Sequence, residues 1–168
     1  MSVHEHKKQA QKTVNCAVLT VSDTRDEKTD KSGALIIDML QKAGHHVVDR
    51  KIVKDEKDAI LTSLNAWLDR DGIDVILTNG GTGIAKRDVT IEAVEALFEK
   101  TIPGFGELFR MLSYTEDIGS SAMMSRASAG TSRGKVLFSM PGSSGAVRLA
   151  MTKLILPELA HVVYELHK

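Results

Sequence analysis

The sequence predicts an α/β domain in which short, buried, mostly parallel strands alternate with amphipathic helices. Three observations carry that prediction. From Val14 onward, apolar runs of strand length alternate with segments of helical period, the pattern of repeated βα units. Runs such as "VNCAVLTV" are apolar almost throughout, as in strands buried on both faces of a parallel sheet. Each run also ends in a polar or glycine-rich loop: Ser22-Asp23, Asp55-Glu56, Gly80-Gly81-Thr82-Gly83 and Pro141-Gly142-Ser143-Ser144-Gly145. Open parallel sheets bind ligands along that edge, so the four loops are expected to converge on one pocket.

The elements follow in order. Residues 1–13, including "MSVHEHKKQAQK", are polar and are expected as a mobile tail. "VNCAVLTV" is the first strand, and "GALIIDMLQKAG" is a helix with Ala34, Ile37, Leu40 and Gln41 on its inner face and Gly44 at its end. "HHVVDRKIV" is the second strand. "KDEKD" then supplies acidic groups and possible caps for "AILTSLNAWLDRDG", a helix with Ile60, Leu64, Trp67 and Leu68 inward. "DVILT" is the third strand. After it come the helix "VTIEAVEALFEK", the Pro103-Gly104 turn, a helical "FGELFRMLSY", and "SSAMMSRASAG", whose Met123 and Met124 are expected in the core. "GKVLFSM" is the fourth strand. Beyond "PGSSGAV", a closing helix is expected to kink or restart at Pro157.

The 168 residues, 42% hydrophobic and 26% charged, fit one globular domain without linker or repeat. The start of the chain does not resemble a signal peptide, and no apolar run approaches the ~18 residues of a membrane span. A cytoplasmic protein without a membrane partner is therefore expected. Lys+Arg and Asp+Glu are equal at 22 each, and the pI is near 7.0, which argues against general nucleic-acid binding. An anionic ligand would have to be held by local donors. Cys16, the one cysteine, lies in a strand and reads as a small buried hydrophobe. His45 and His46 are adjacent on a strand and point to opposite faces, and the other histidines lie near the ends, so no zinc site is expected.

The central motif is "LTNGGTGIAKRDVT". It is not a P-loop, because no Gly-Lys-Ser/Thr follows at the required spacing, and Lys86 stands where a dinucleotide fingerprint has its third glycine. What remains is a bare backbone whose N–H groups can approach a phosphate, feeding a helix start; a tight βα turn explains the glycines equally well. Asp88 and Asp55 begin helices and read either as caps or as hard oxygen ligands that hold Mg²⁺ against a triphosphate. "PGSSG" is open in the same way, between an anion-binding turn and a capped βα turn. In "SYTEDIGSSAMMSRASAG", hydroxyls and Arg126 offer a polar lining.

Together "VLTVSDTR", "TNGGTGIAKRDVTIEAV", "MLSYTEDIGSSAMMSRASAG" and "FSMPGSSGAVRLAM" resemble the molybdenum cofactor biosynthesis protein B family, sister to the molybdopterin adenylyltransferases. The resemblance runs from about Val14 to the end and implies a three-layer α/β/α sandwich with a mostly parallel sheet, spanning 14–168 as a molybdopterin-binding domain. It implies a homotrimer or homohexamer with other molybdenum-cofactor proteins as partners. Active members adenylylate the terminal phosphate of molybdopterin with Mg-ATP and release pyrophosphate; a pterin-binding protein without that chemistry is the alternative. Carried over by motif, Asp55 and Asp88 match catalytic, Mg²⁺-associated aspartates. Ser22, Gly80, Gly81, Thr82, Gly83, Pro141, Gly142, Ser143 and Ser144 match the nucleotide and phosphate cradle. Ser113, Ser125 and Arg126 match the pterin side.

Overall fold

The computed structural model describes residues 1–9 and 13–168. Its elements begin with helix α1 (Val3–Gln9), strand β1 (Asn15–Val21), helix α2 (Lys31–Lys42), strand β2 (His46–Val53), helix α3 (Lys57–Leu68) and strand β3 (Val75–Asn79). Helix α4 (Thr90–Leu97), the short strand β4 (Lys100–Thr101), helix α5 (Pro103–Glu116) and a 3₁₀ turn (Gly119–Met124) follow. Strands β5 (Ser128–Ser132) and β6 (Lys135–Met140) lead to helix α6 (Ser144–Ala150), a π turn (Met151–Ile155) and helix α7 (Leu156–His167).

The six strands lie in the order β2-β1-β3-β6-β5-β4. Strands β2, β1, β3 and β6 are parallel, and β5 and β4 add an antiparallel margin. Alternation along the strands builds two cores. Cys16, Val18, Val75, Leu77, Val136 and Phe138 face α2, α5, α6 and α7; Ala17, Leu19, Ile76 and Leu137 face α3 and α4. The result is the expected three-layer α/β/α sandwich. The chain leaves β1 outward to β2 and then crosses back to β3, so its winding reverses between β1 and β3, the place where such sheets open a ligand crevice.

Several local expectations change. Within the stretch expected as a tail, 3–9 form α1, whose His6 and Lys7 contact Glu165 and Glu158 of α7; 10–12 lie outside the described residues. Helix α2 buries Ser32, Gly33, Ile36 and Leu40, with Ile37 partly buried against the core, and leaves Ala34 and Gln41 exposed. Its inner face starts with small residues because the helix end packs on polar groups: a Cβ at Gly33 would lie 2.5 Å from the Thr20 hydroxyl. Met123 and Met124 are 82% and 44% exposed, since the 3₁₀ turn directs only Ala122 inward. Strand β5, "SAGTS", carries no apolar alternation, yet it is packed closely enough that a Cβ at Gly130 would lie 2.4 Å from the Phe98 ring. A two-residue turn, Arg133 (φ 49°) and Gly134 (φ 75°), joins it to β6, and two positive φ values are what the twist of a tight hairpin requires.

The helices expected inward are so: Ile60, Leu64, Trp67 and Leu68 of α3 are buried. Pro157 falls in the first turn of α7 and has no N–H to give, and just before it the ladder widens so that the Leu156 N–H donates to the Met151 carbonyl.

Candidate functional site

The carboxyl ends of β1, β3 and β6 meet at the reversal point because their loops can approach without side chains. Gly80 has φ 95°, and a Cβ there would lie 2.2 Å from the Val21 carbonyl oxygen at the end of β1. Its N–H donates to the Met140 carbonyl at 3.0 Å, and a Cβ at Gly142 would sit 3.3 Å from the Gly80 Cα. The glycine loop and the "PGSSG" loop are therefore one contiguous surface. Ser22 follows β1 beside this surface; its N–H donates to the Val53 carbonyl, and its hydroxyl accepts from the Thr24 and Arg25 N–H groups and closes its own turn. Thr82 is buried. Ser143 caps α6 by accepting from the Ala146 N–H, and Ser144 is exposed beside it.

Asp55 and Asp88 are brought to this surface, and neither caps a helix. The α3 N-cap is Glu56 and the α4 N-cap is Val89, both without a side-chain cap bond. Asp88 Oδ2 instead accepts from the Ala85 N–H at 2.9 Å, and it lies 2.8 Å from where a Gly83 Cβ would be. Asp55 Oδ1 lies 3.2 Å from the corresponding point at Gly81. Both carboxylates thus flank the same glycine loop.

A third carboxylate, Asp23, completes the group: it accepts the Asp55 N–H at 3.1 Å and a two-pronged bond from Arg87 at 2.7 and 2.8 Å. The bond from Arg87 holds the Asp23 carboxyl below its ordinary range. Asp55 is pushed the other way, chiefly by burial and then by the Asp23 and Asp88 carboxylates, with Arg87 only partly compensating. A site with a destabilised carboxylate and hard oxygen donors favours a cation.

Behind the loops lies a buried polar network that sequence reasoning missed. Asp30, 1% exposed, accepts from the Thr20 hydroxyl at 2.7 Å, the Gly33 N–H at 3.0 Å and Arg50 at 3.0 Å. Ser32 donates to Asn79 at 2.7 Å, and Arg25 contacts Ser32 and donates to the Gly142 carbonyl at 3.0 Å. Arg25 therefore ties "VSDTR" to "PGSSG". The signal available was the fully buried strand Val75–Asn79 ending in the polar pair Thr78-Asn79.

The residues assigned to the pterin side divide. Ser125 lines a cleft of about 440 Å³ with Arg110, Met123 and Glu107, and its hydroxyl is buried with no hydrogen-bond partner. Arg110, unanticipated from the sequence, donates to the Ala127 carbonyl at 3.0 Å beneath that cleft. Arg126 lines it too, but its guanidinium donates to the Gly83 and Asp88 carbonyls, each at 2.9 Å, and pairs with Glu92. It braces the glycine loop. Ser113 is buried in α5 and does not line this cleft. Farther along α5, Leu108, Met111 and Tyr114 are exposed, with Ile118 just beyond its end.

No helix among the described residues is long and apolar enough to cross a membrane. The family profile described as "Probable molybdopterin binding domain" matches residues 17–161. The molybdenum cofactor biosynthesis protein B of Bacillus cereus is 65% identical over 168 residues, covering 100% of this chain and 99% of the relative. A crystal structure of a molybdenum cofactor biosynthesis protein B superposes with a TM-score of 0.91 at 64% identity, over 95% of this chain and 99% of that one. The tungsten cofactor synthesizing protein MoaB of Pyrococcus furiosus gives 0.84 at 42% identity, over 95% and 100%.

Proposed function

The chain belongs to the molybdenum cofactor biosynthesis protein B family and acts in molybdenum cofactor biosynthesis, and on that premise we propose that it binds molybdopterin and adenylylates its terminal phosphate with ATP. The observation that carries the proposal is the placement of Asp55 and Asp88 against one glycine loop, with neither spent on a helix cap. These are hard oxygen donors of the kind Mg²⁺ takes, and the raised Asp55 pKa is the signature of a carboxylate that a cation would relieve. Asp55 and Asp88 would hold the ion, which when bound would neutralise charge between the two phosphate-bearing substrates.

The chain's own part is positioning. The loop from Gly80 to Gly83 offers backbone N–H groups to phosphate oxygens without Cβ obstruction, and "PGSSG" continues that surface. Arg87, fixed by Asp23, keeps a positive charge beside Asp55. A pterin phosphate oxygen attacks the α-phosphorus of ATP; the new P–O bond forms as the bond to the bridging oxygen breaks, and pyrophosphate leaves. The protein need supply no nucleophile, and the Cys16 thiol, buried and pushed up to about 12, is unfit to be one. Holding two anions in line accounts for most of the rate such a site can provide. Ser125 faces the pterin from the neighbouring cleft, and Arg126 links that cleft to the glycine loop. The exposed Leu108, Met111, Tyr114 and Ile118 support a homo-oligomer, a trimer or a hexamer.

Incubation with molybdopterin, Mg²⁺ and ATP, followed by product analysis, tests the reading. Adenylylated pterin and pyrophosphate are expected. Saturable pterin binding with no product would leave a pterin-binding protein without transfer chemistry.

A further inference from the structure

We propose a second cation site, remote from the glycine loop, in which His6 of α1 and His161 and Glu165 of α7 bind a divalent transition-metal ion such as Zn²⁺. One ligand atom from each of the three residues falls within 4.8 Å of the others. His6 Nδ1 contacts Glu165 Oε1, and His161 Nε2 lies 3.5 Å from that same oxygen. Zinc–nitrogen and zinc–oxygen bonds of about 2.0–2.1 Å place tetrahedral donors about 3.3 Å apart. The His161–Glu165 spacing already suits an ion, and His6, on a two-turn helix, need only draw back from direct contact.

The second observation is the state of His161. Its Nδ1 is 2.8 Å from Glu158 Oε2, which accepts the ring N–H in the tautomer that leaves Nε2 free to ligate. That Nε2 is buried and has no hydrogen-bond partner. It faces Glu165 Oε1 at 3.5 Å, beyond good hydrogen-bond length, and a cation between the two atoms would bind both. Carboxylate, imidazole and metal in series is the usual support for a ligating histidine. The remaining carboxylate oxygens are occupied: Glu158 Oε1 by Lys7 and Glu165 Oε2 by Lys168 at 3.1 Å. Glu165 would therefore bind through Oε1 alone, and three protein ligands leave a fourth position for water. The ion would fasten α1 to α7.

The test uses the whole chain, stripped of metal with a chelator and titrated with Zn²⁺ against a chromophoric competitor. A tight equivalent per chain is expected. His6→Gln and His161→Gln, measured separately so that misfolding of one leaves the other informative, should each weaken it at least about tenfold, and Glu158→Gln by about 10–100-fold. Zn²⁺ should raise the melting temperature of the parent chain and not of either histidine variant. Tetrahedral Co²⁺ absorption should likewise vanish in His161→Gln. Equal Zn²⁺ affinity and equal thermal shift in the parent and both histidine variants would overturn the proposal, as would an absence of tight binding in the parent.

Discussion

Replacing Gly81 by alanine probes the candidate loop through geometry alone. At φ 69° an alanine is held in the left-handed region, which costs about 1–2 kcal/mol. Its Cβ would also lie 2.2 Å from the Thr90 hydroxyl, an overlap with a fully buried side chain that adds about 1–3 kcal/mol. Gly81→Ala should therefore lose about 2–5 kcal/mol, read from the midpoint and slope of urea unfolding. The two contributions can be separated. Thr90→Ala removes the hydroxyl, the nearest obstacle, so in that background Gly81→Ala should cost less by a coupling of about 1–3 kcal/mol, while the backbone share and the 3.2 Å approach of Asp55 Oδ1 remain. Gly80→Ala is the control: its obstacle is the Val21 carbonyl, which Thr90→Ala leaves in place. If Gly81→Ala costs the same with and without the Thr90 hydroxyl, the close approach described here is wrong.

Asp88→Asn and Asp55→Asn should each lower adenylyl transfer on the order of 10²-fold or more in the product assay. Because the native Asp55 carboxyl has a raised pKa, its charged form costs the fold stability above that pKa, so Asp55→Asn should melt no lower than the parent at neutral pH. Ser125→Ala should weaken molybdopterin binding, measured by equilibrium titration, with little change in melting temperature, since its hydroxyl has no partner to lose. Burial alone would raise the Asp30 carboxyl, but the Thr20 hydroxyl, the Gly33 N–H and Arg50 outweigh it and hold it below the ordinary 3.8. Its stabilisation is thus present above pH 3.8 and lost as pH falls through the lower native value. Asp30→Ala should cost about 2–4 kcal/mol at neutral pH, since Arg50 keeps some access to water, and the difference in unfolding free energy should narrow in acid.

The legible part of this fold was the part written in apolar residues. β1, β3 and β6 are buried on both faces and read as short continuous apolar runs, and α3 presents Ile60, Leu64 and Trp67 at helical spacing, so apolar pattern located them. Strand β5 escaped because it is built from small and polar residues, with Gly130 fitting against Phe98, which leaves no periodic signal. The inner face of α2 was misassigned for a related reason, since Ser32 and Gly33 turn inward to serve Asp30, Asn79 and Thr20. The glycine loops were legible as loops. Their mutual contact was not, because the approach of Gly142 to Gly80 depends on sheet order, which no local pattern encodes. Arg126 shows what residue type does not reveal at the level of one side chain: besides lining the cleft, it donates to the Gly83 and Asp88 carbonyls and pairs with Glu92.

The Arg133-Gly134 turn has a consequence in time as well as in space. Ser132 pairs with Lys135 across it, so β5 and β6 can zip from a nearly closed end, an event of about 1–10 μs for a hairpin. The parallel pairing of β6 with β3 joins residues such as Thr78 and Ser139, 61 positions apart, and must wait for a long loop to close. The surface formed by Gly80 and Gly142 exists only once that second pairing is made. The ligand edge is therefore a late product of folding, and refolding followed by amide-proton labelling should protect the β5–β6 ladder before the β3–β6 one.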